Sequence, residues 1–237
     1  MTIRPIDELP GYRRRFLVTG GDGWARSDLE DDFHHMHVTL RHADGVVTAV
    51  EPVMERWPWT TCPLAGEELK RAFTGARLES FPKLGDKSQN CTHLFDLALL
   101  AAAHAHDAEP LRYDVLVSDP ARGRQRAELR RNGVVEMSWA FERGGRFTEP
   151  PELRGASLFD LRAWIDGLEP ERREAARVLR WGAMVAHGRQ MALPAQSDAA
   201  AMKPRCFTFQ PVNAVRAKRI GEIRDFSAGG RGPLAPS

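Results

Sequence analysis

Two tight-turn dipeptides, Asp44-Gly45 and Asn132-Gly133, constrain the fold of this chain more than any other feature. Each lies between runs of alternating apolar residues, and each supplies the positive φ angles that a two-residue hairpin turn needs. Around the first, His37-Val38-Thr39-Leu40-Arg41-His42 and Val46-Val47-Thr48-Ala49-Val50-Glu51 read as paired antiparallel strands, with the alternation Val38/Leu40 and Val46/Thr48/Val50 turned to a core. Around the second, Arg124 to Arg130 pairs with Val134 to Phe141, and Tyr113-Asp114-Val115-Leu116-Val117 precedes them as a third strand. Arg15-Phe16-Leu17-Val18-Thr19 is a further short strand, followed by the turn Gly20-Gly21-Asp22-Gly23.

Helical stretches fall between these hairpins. One runs from Pro63 to about Phe73 and stops at Gly75, with proline just inside its start and glycine just past its end. A second, Thr92 to about His106, is apolar nearly all round and is expected to be deeply buried. Ser157, with Asp160 three positions on, should open a helix through Leu168, and Pro170 another through about His187. Past Pro194 the chain turns Ala-, Pro- and Gly-rich, and the end from Ser227 to Pro233 is expected to be disordered. The expectation is an α+β protein: an antiparallel sheet backed by helices, with a C-terminal β-hairpin and helical pair. Residues 12–108 should form the core unit, 109–194 the strands and helical pair packed on it, and 195–237 an extended, partly disordered tail.

Composition narrows the function classes. With 42% hydrophobic and 28% charged residues the chain has an ordinary globular make-up, and 237 residues suffice for a real core. A formal charge of +2, with acids interspersed among the arginines, argues against a nucleic-acid partner. The longest apolar run, Leu97 to Ala103, is about a third of a membrane span, so no membrane partner is expected. Met1 to Arg15 holds no apolar signal segment, and three cysteines, an odd number, do not suggest a disulfide framework. The expected location is the cytoplasm.

The candidate chemistry lies in three segments. Cys62 and Cys91 each stand where a helix should begin, and unpaired N–H groups there favour thiolate, the form that binds metals. Upstream lies Asp31-Asp32-Phe33-His34-His35-Met36-His37. On a strand, His35 and His37 point one way and His34 and Met36 the other. Cys62 and Cys91 with one of His34 and His35, completed by Asp32 or His93, would make a tetrahedral N/O/S site for zinc or iron. Plainer roles compete. A free cysteine is often a small buried hydrophobe, Asp31 and Asp32 can form a solvated turn, and His93 can bond a carbonyl at its own helix start. Cys206, in Arg205-Cys206-Phe207-Thr208-Phe209, reads as part of a packed alternating strand. The tryptophans read as core, a few of them able to line a pocket for an apolar or aromatic ligand. The Gly20 to Gly23 turn lacks the Gly-Lys-Ser/Thr ending of a phosphate loop.

Asn90-Cys91-Thr92-His93-Leu94, with Cys62 upstream, resembles an uncharacterised bacterial domain family with a Gly-Cys-Thr-His-Leu signature, although Asn90 stands where that signature has glycine. The likeness spans Tyr12 to His106, more loosely to Gln190, and implies no activity. The order of hairpin, cysteine, helix, cysteine and helix is more distantly similar to the U-type iron–sulphur cluster scaffold, whose three cysteines and an aspartate or histidine surround one metal. That resemblance places Cys62 at the second cysteine and Cys91 at the third, while the first falls near Asp32 and the family's aspartate near His34. With a thiolate replaced by carboxylate or imidazole, zinc or a single iron is implied rather than a cluster. The reading is therefore a metal-binding protein, a metal-dependent lyase or hydrolase acting on a small apolar or aromatic molecule, with His93 or Asp32 moving protons. The alternative is a non-catalytic accessory protein or metal carrier. Metal-free chemistry at Cys91 with His93 is the weakest version, because residues two apart on a helix do not face each other.

Overall fold

The computed structural model describes residues 4–191 and 198–235. Eight strands form an antiparallel sheet in the order β4-β3-β2-β1-β5-β6-β7-β8, and helices accompany it. These are β1 (Gly11–Gly21), β2 (Trp24–Asp31), β3 (His35–Ala43), β4 (Val46–Arg56), β5 (Leu111–Ser118), β6 (Arg124–Arg131), β7 (Val134–Glu142) and β8 (Phe147–Glu149). The helices are α1 (Ala65–Phe73), α2 (Thr92–Ala103), α3 (Arg162–Asp166), α4 (Pro170–Ala186) and α5 (Pro211–Ala214). The α+β expectation holds. Among the described residues, no helix is long and apolar enough to cross a membrane.

The chain divides into two compact units. One comprises Phe16–Leu111 with Pro194–Arg224, the other Met1–Arg15, Arg112–Leu193 and Asp225–Ser237. The expected sequential cut near residue 108 lies close to one boundary. The expected separate tail does not form: its described residues are shared between the units, and they contribute buried Ala199, Thr208, Asn213, Ala214 and Ala217. The segment 227–233 is tied down, for Gly11 N–H donates to Ser227 Oγ at 2.9 Å and Arg15 donates to the Pro233 carbonyl at 3.1 Å. Residues 192–197, including Pro194, lie outside the described part.

In the first unit the Asp44-Gly45 turn has φ angles of +50° and +75°, as its dipeptide required, and it joins β3 to β4. The preceding hairpin, β2 to β3, pairs Asp28 with His37, Leu29 with Met36 and Glu30 with His35, leaving Asp31 to His34 as the connection. Strand β2 has no counterpart in the sequence reading. Arg26, Ser27 and Asp28 are weak strand formers, and alternate burial of Ala25, Ser27 and Leu29 reveals the strand only after folding. Helix α2 packs on β2 and β3 and α1 on β4. Buried Leu94, Phe95, Leu97, Ala98, Leu100 and Ala101 explain why α2 carries apolar residues all round. Phe73 stacks on Phe81 at 4.2 Å and meets Phe95 at 5.1 Å, in a cluster where loss of one ring would cost about 3–5 kcal/mol.

In the second unit Asn132-Gly133, at φ +49° and +88°, turns β6 into β7, and α4 packs on both strands. Gly182 of α4 is required: a Cβ there would lie 2.5 Å from Val115 Cγ1. Two expectations need correction. Ser157 does cap, accepting from Phe159 N–H at 3.2 Å, but it opens only the 3-10 turn Leu158–Asp160, and α3 begins at Arg162. Cys206, in the first unit, is not on a strand; it precedes the 3-10 turn Phe207–Phe209, where Phe207 N–H donates to the Asn90 carbonyl at 3.0 Å and Phe209 N–H to the Cys206 carbonyl at 3.0 Å.

Candidate metal centre

The connection between β2 and β3 is built by its first residue. Asp31 Oδ1 accepts from the N–H groups of Phe33 at 2.7 Å and His34 at 2.8 Å, and Asp31 N–H donates to the His34 carbonyl at 2.8 Å. An aspartate that bonds the backbone two and three residues on makes a tight turn by itself. The turn brings the His34 ring back over its own carboxylate, with Nδ1 3.0 Å from Oδ1 and 3.2 Å from Oδ2. A carboxylate only accepts, so Nδ1 is the donor in this pair.

Across from His34 stands His93, in the first turn of α2, with ring centres 3.9 Å apart and planes 33° from parallel. Asp31, His34 and His93 each offer a ligand atom, and these atoms lie within 4.8 Å of one another. Among the described residues this is the one group of three or more His, Cys, Asp or Glu side chains so placed. Two imidazoles and a carboxylate are a recurring donor set for zinc or iron(II) that leaves coordination positions open. Seating both rings on one ion at metal–nitrogen lengths of about 2.0–2.1 Å requires the ring centres to part by about 1 Å.

Arg56, at the end of β4, locks the turn from beneath. Its Nη2 donates to the carbonyls of Asp31 at 2.6 Å and His34 at 3.2 Å and reaches Glu30 Oε1 at 3.4 Å, while Nη1 donates to the Asp32 carbonyl at 2.9 Å. Burial holds the Arg56 guanidinium below its usual range, against the pull of Asp31 and Glu30. Arg224 adds a backbone bond to the Asp32 carbonyl at 2.8 Å and a side-chain contact to Glu30 at 3.3 Å. Asp31 and Asp32 are fully buried, so the solvated-turn alternative is overturned: the guanidinium offsets the cost of burying acids.

The sequence candidates thus part company. His34 and His93 meet, and Asp31, from the same run of possible ligands as His34, joins them. Asp32 shares the turn but not the three-donor group. His35 points to the opposite face and pairs with Glu55 at 3.0 Å. His37 lies beside it, and its Nδ1, 3.8 Å from Glu55 and 4.0 Å from Asp28, has no hydrogen-bond partner. Burial, then Arg26, lowers the His37 pKa. Cys62 and Cys91 lie outside the group as well. Thiolate is not favoured at either: burial pushes the Cys62 thiol up to about 11 and Cys91 upward too, outweighing the helix-start N–H groups. The sequence cue that went unread is the Asp-x-x-His spacing at Asp31 and His34; nothing marked Arg56.

No protein-family model and no curated protein matches the chain. Among solved structures, the chain is similar to a crystal structure of a viral glycoprotein at 15% identity and a TM-score of 0.21, covering 80% of this chain and 61% of that one. The chain therefore spans less than two thirds of that neighbour's length, and a likeness this weak carries no argument about fold or function.

Proposed function

We propose that the chain binds a divalent metal ion, zinc or iron, at Asp31, His34 and His93, and uses it in hydrolase or lyase chemistry on a small molecule. The observation that carries this reading is the convergence of three metal-ligating side chains on a buried turn that Arg56 and Arg224 hold in place. An ion held by three protein groups keeps a position for water or a substrate oxygen and polarises whatever sits there. His93 then serves as a ligand instead of a proton carrier, and Asp32 is the neighbouring carboxylate left to move a proton. Three free cysteines suit a reducing compartment, and we place the protein in the cytoplasm.

Elemental analysis of protein purified without added metal, and again after zinc or iron(II) loading, tests the reading. About one ion per chain, lost in His34→Ala and in His93→Ala, is the expected result. No retained metal after loading would overturn it. The close ring pair favours a second reading, metal-free proton transfer along Asp31, His34 and His93. Retention of turnover after complete metal removal would select it. Stoichiometric metal without turnover on any small molecule would instead select the carrier role.

A further inference from the structure

Beyond α5 the chain doubles back along the residues that follow β4. Thr60 N–H donates to the Lys218 carbonyl at 3.0 Å and Ile220 N–H to the Pro58 carbonyl at 3.0 Å, on either side of an antiparallel bridge between Trp59 and Arg219. Residues 58 and 220 would exchange two bonds in a regular ladder, and Pro58 has no N–H to give the second. Lys218 N–H turns instead to Thr60 Oγ1, at 3.0 Å. Gly221, at φ +83°, then lets the segment pass the Trp57 carbonyl oxygen, which a Cβ would approach to 2.5 Å. Three residues on, Arg224 N–H donates to the Asp32 carbonyl at 2.8 Å and its Nη1 reaches Glu30 at 3.3 Å.

Both acceptors that Arg224 holds are held a second time. Arg56 Nη1 donates to the Asp32 carbonyl at 2.9 Å and Nη2 to Glu30 at 3.4 Å. Departure of residues 218–224 therefore leaves neither acceptor bare, and a bare buried acceptor is what makes opening costly. The ligand turn needs such an opening. Asp31 is 0% exposed and His34 6%, so an ion reaches them only when part of their surroundings moves.

We infer, on the metal reading proposed above, that residues 218–224 are a strap that gates metal exchange at the Asp31 turn. Closed, it slows uptake and release alike; peeled from residues 56–60, it lets the ion pass. Segments with few backbone bonds and no regular structure are the ones that open locally. The strap lies outside every helix and named strand, and the Arg224 side chain is half exposed.

Zinc exchange followed by stopped flow tests the gate, uptake with the metal-free chain and release with a chromophoric chelator in excess. In Arg224→Ala and in Gly221→Val both rates should rise about tenfold or more, while equilibrium affinity moves less than about threefold. A segment that only supports the turn gives faster release, unchanged uptake and weaker binding, and that pattern overturns the gate. Unchanged rates in both variants, with zinc bound, overturn the gate alone. A wild-type chain that takes up no zinc overturns the metal reading and the gate with it. Hydrogen exchange on the wild-type chain needs no variant to fold. The Ile220 and Arg224 amides should exchange about tenfold or more faster than the paired amides of β3, and equal protection overturns the gate.

Discussion

The acid–imidazole turn and the thiols of Cys62 and Cys91 start from neighbouring residues and end in opposite chemical settings. Cys91 caps α2 and His93 is two residues on, a spacing at which side chains leave a helix on different sides. His93 faces a turn rich in charge, where the Arg56 guanidinium, backbone carbonyls and buried carboxylates are hydrogen-bonded to one another. Cys91 is buried, and Cys62 packs near Trp59, Ala199, Ala214 and Ala217, with Arg219 over the Trp59 ring. The difference teaches that ligand type follows dielectric setting. The hydrogen-bonded turn can hold carboxylates ionised in the interior, whereas burial around Cys62 and Cys91 keeps the thiols protonated.

The largest effect that would break this comparison comes from removing the clamp. Arg56→Met removes one of the two guanidinium groups at Glu30 and one donor from each of three carbonyls, and should cost about 3–5 kcal/mol in urea unfolding. A loss under about 1 kcal/mol would show that the turn holds its shape unaided. Asp31→Asn keeps an oxygen for the two backbone N–H groups while removing the charge. Zinc affinity should fall about 10–100-fold by competition titration, with stability changed far less.

At the thiols, the comparison sharpens through pH. The Cys62 pKa is raised from 9.0 to about 11 by burial, so the folded state holds this proton more tightly than the unfolded chain. Its contribution to stability is complete below about pH 9 and is lost as the pH rises toward 11. Unfolding followed across that window should show the alkaline decline, and Cys62→Ala should flatten it. The smallest effect is expected at His37 on the opposite face of β3. His37→Gln should shift stability by no more than about 0.5–1 kcal/mol and leave metal stoichiometry unchanged.

Much of the scaffold was legible from residues. Asp44-Gly45 and Asn132-Gly133 marked their turns because few other dipeptides tolerate two positive φ angles, and the unbroken apolar face of α2 announced its burial. Strand β2 stayed hidden because its polar residues gain a strand environment only from β3 beside it. The site was half legible. His34 and His93 stood out as ligand types, but the partner that unites them, Asp31, acts through backbone bonds that no composition signals. Cys206 was misassigned for a related reason: alternation in Arg205 to Phe209 imitates a strand, while its N–H groups are satisfied by a local turn and by Asn90.

X-ray absorption at the zinc edge of the wild-type chain, loaded with one equivalent of zinc, tests the division between the two regions most directly. Nitrogen and oxygen neighbours at about 2.0–2.1 Å, imidazole scattering and no sulfur are what the account predicts. A shell mixing sulfur at about 2.3 Å with imidazole on the same ion would contradict it, and would return Cys62 and Cys91 to a single centre with His34.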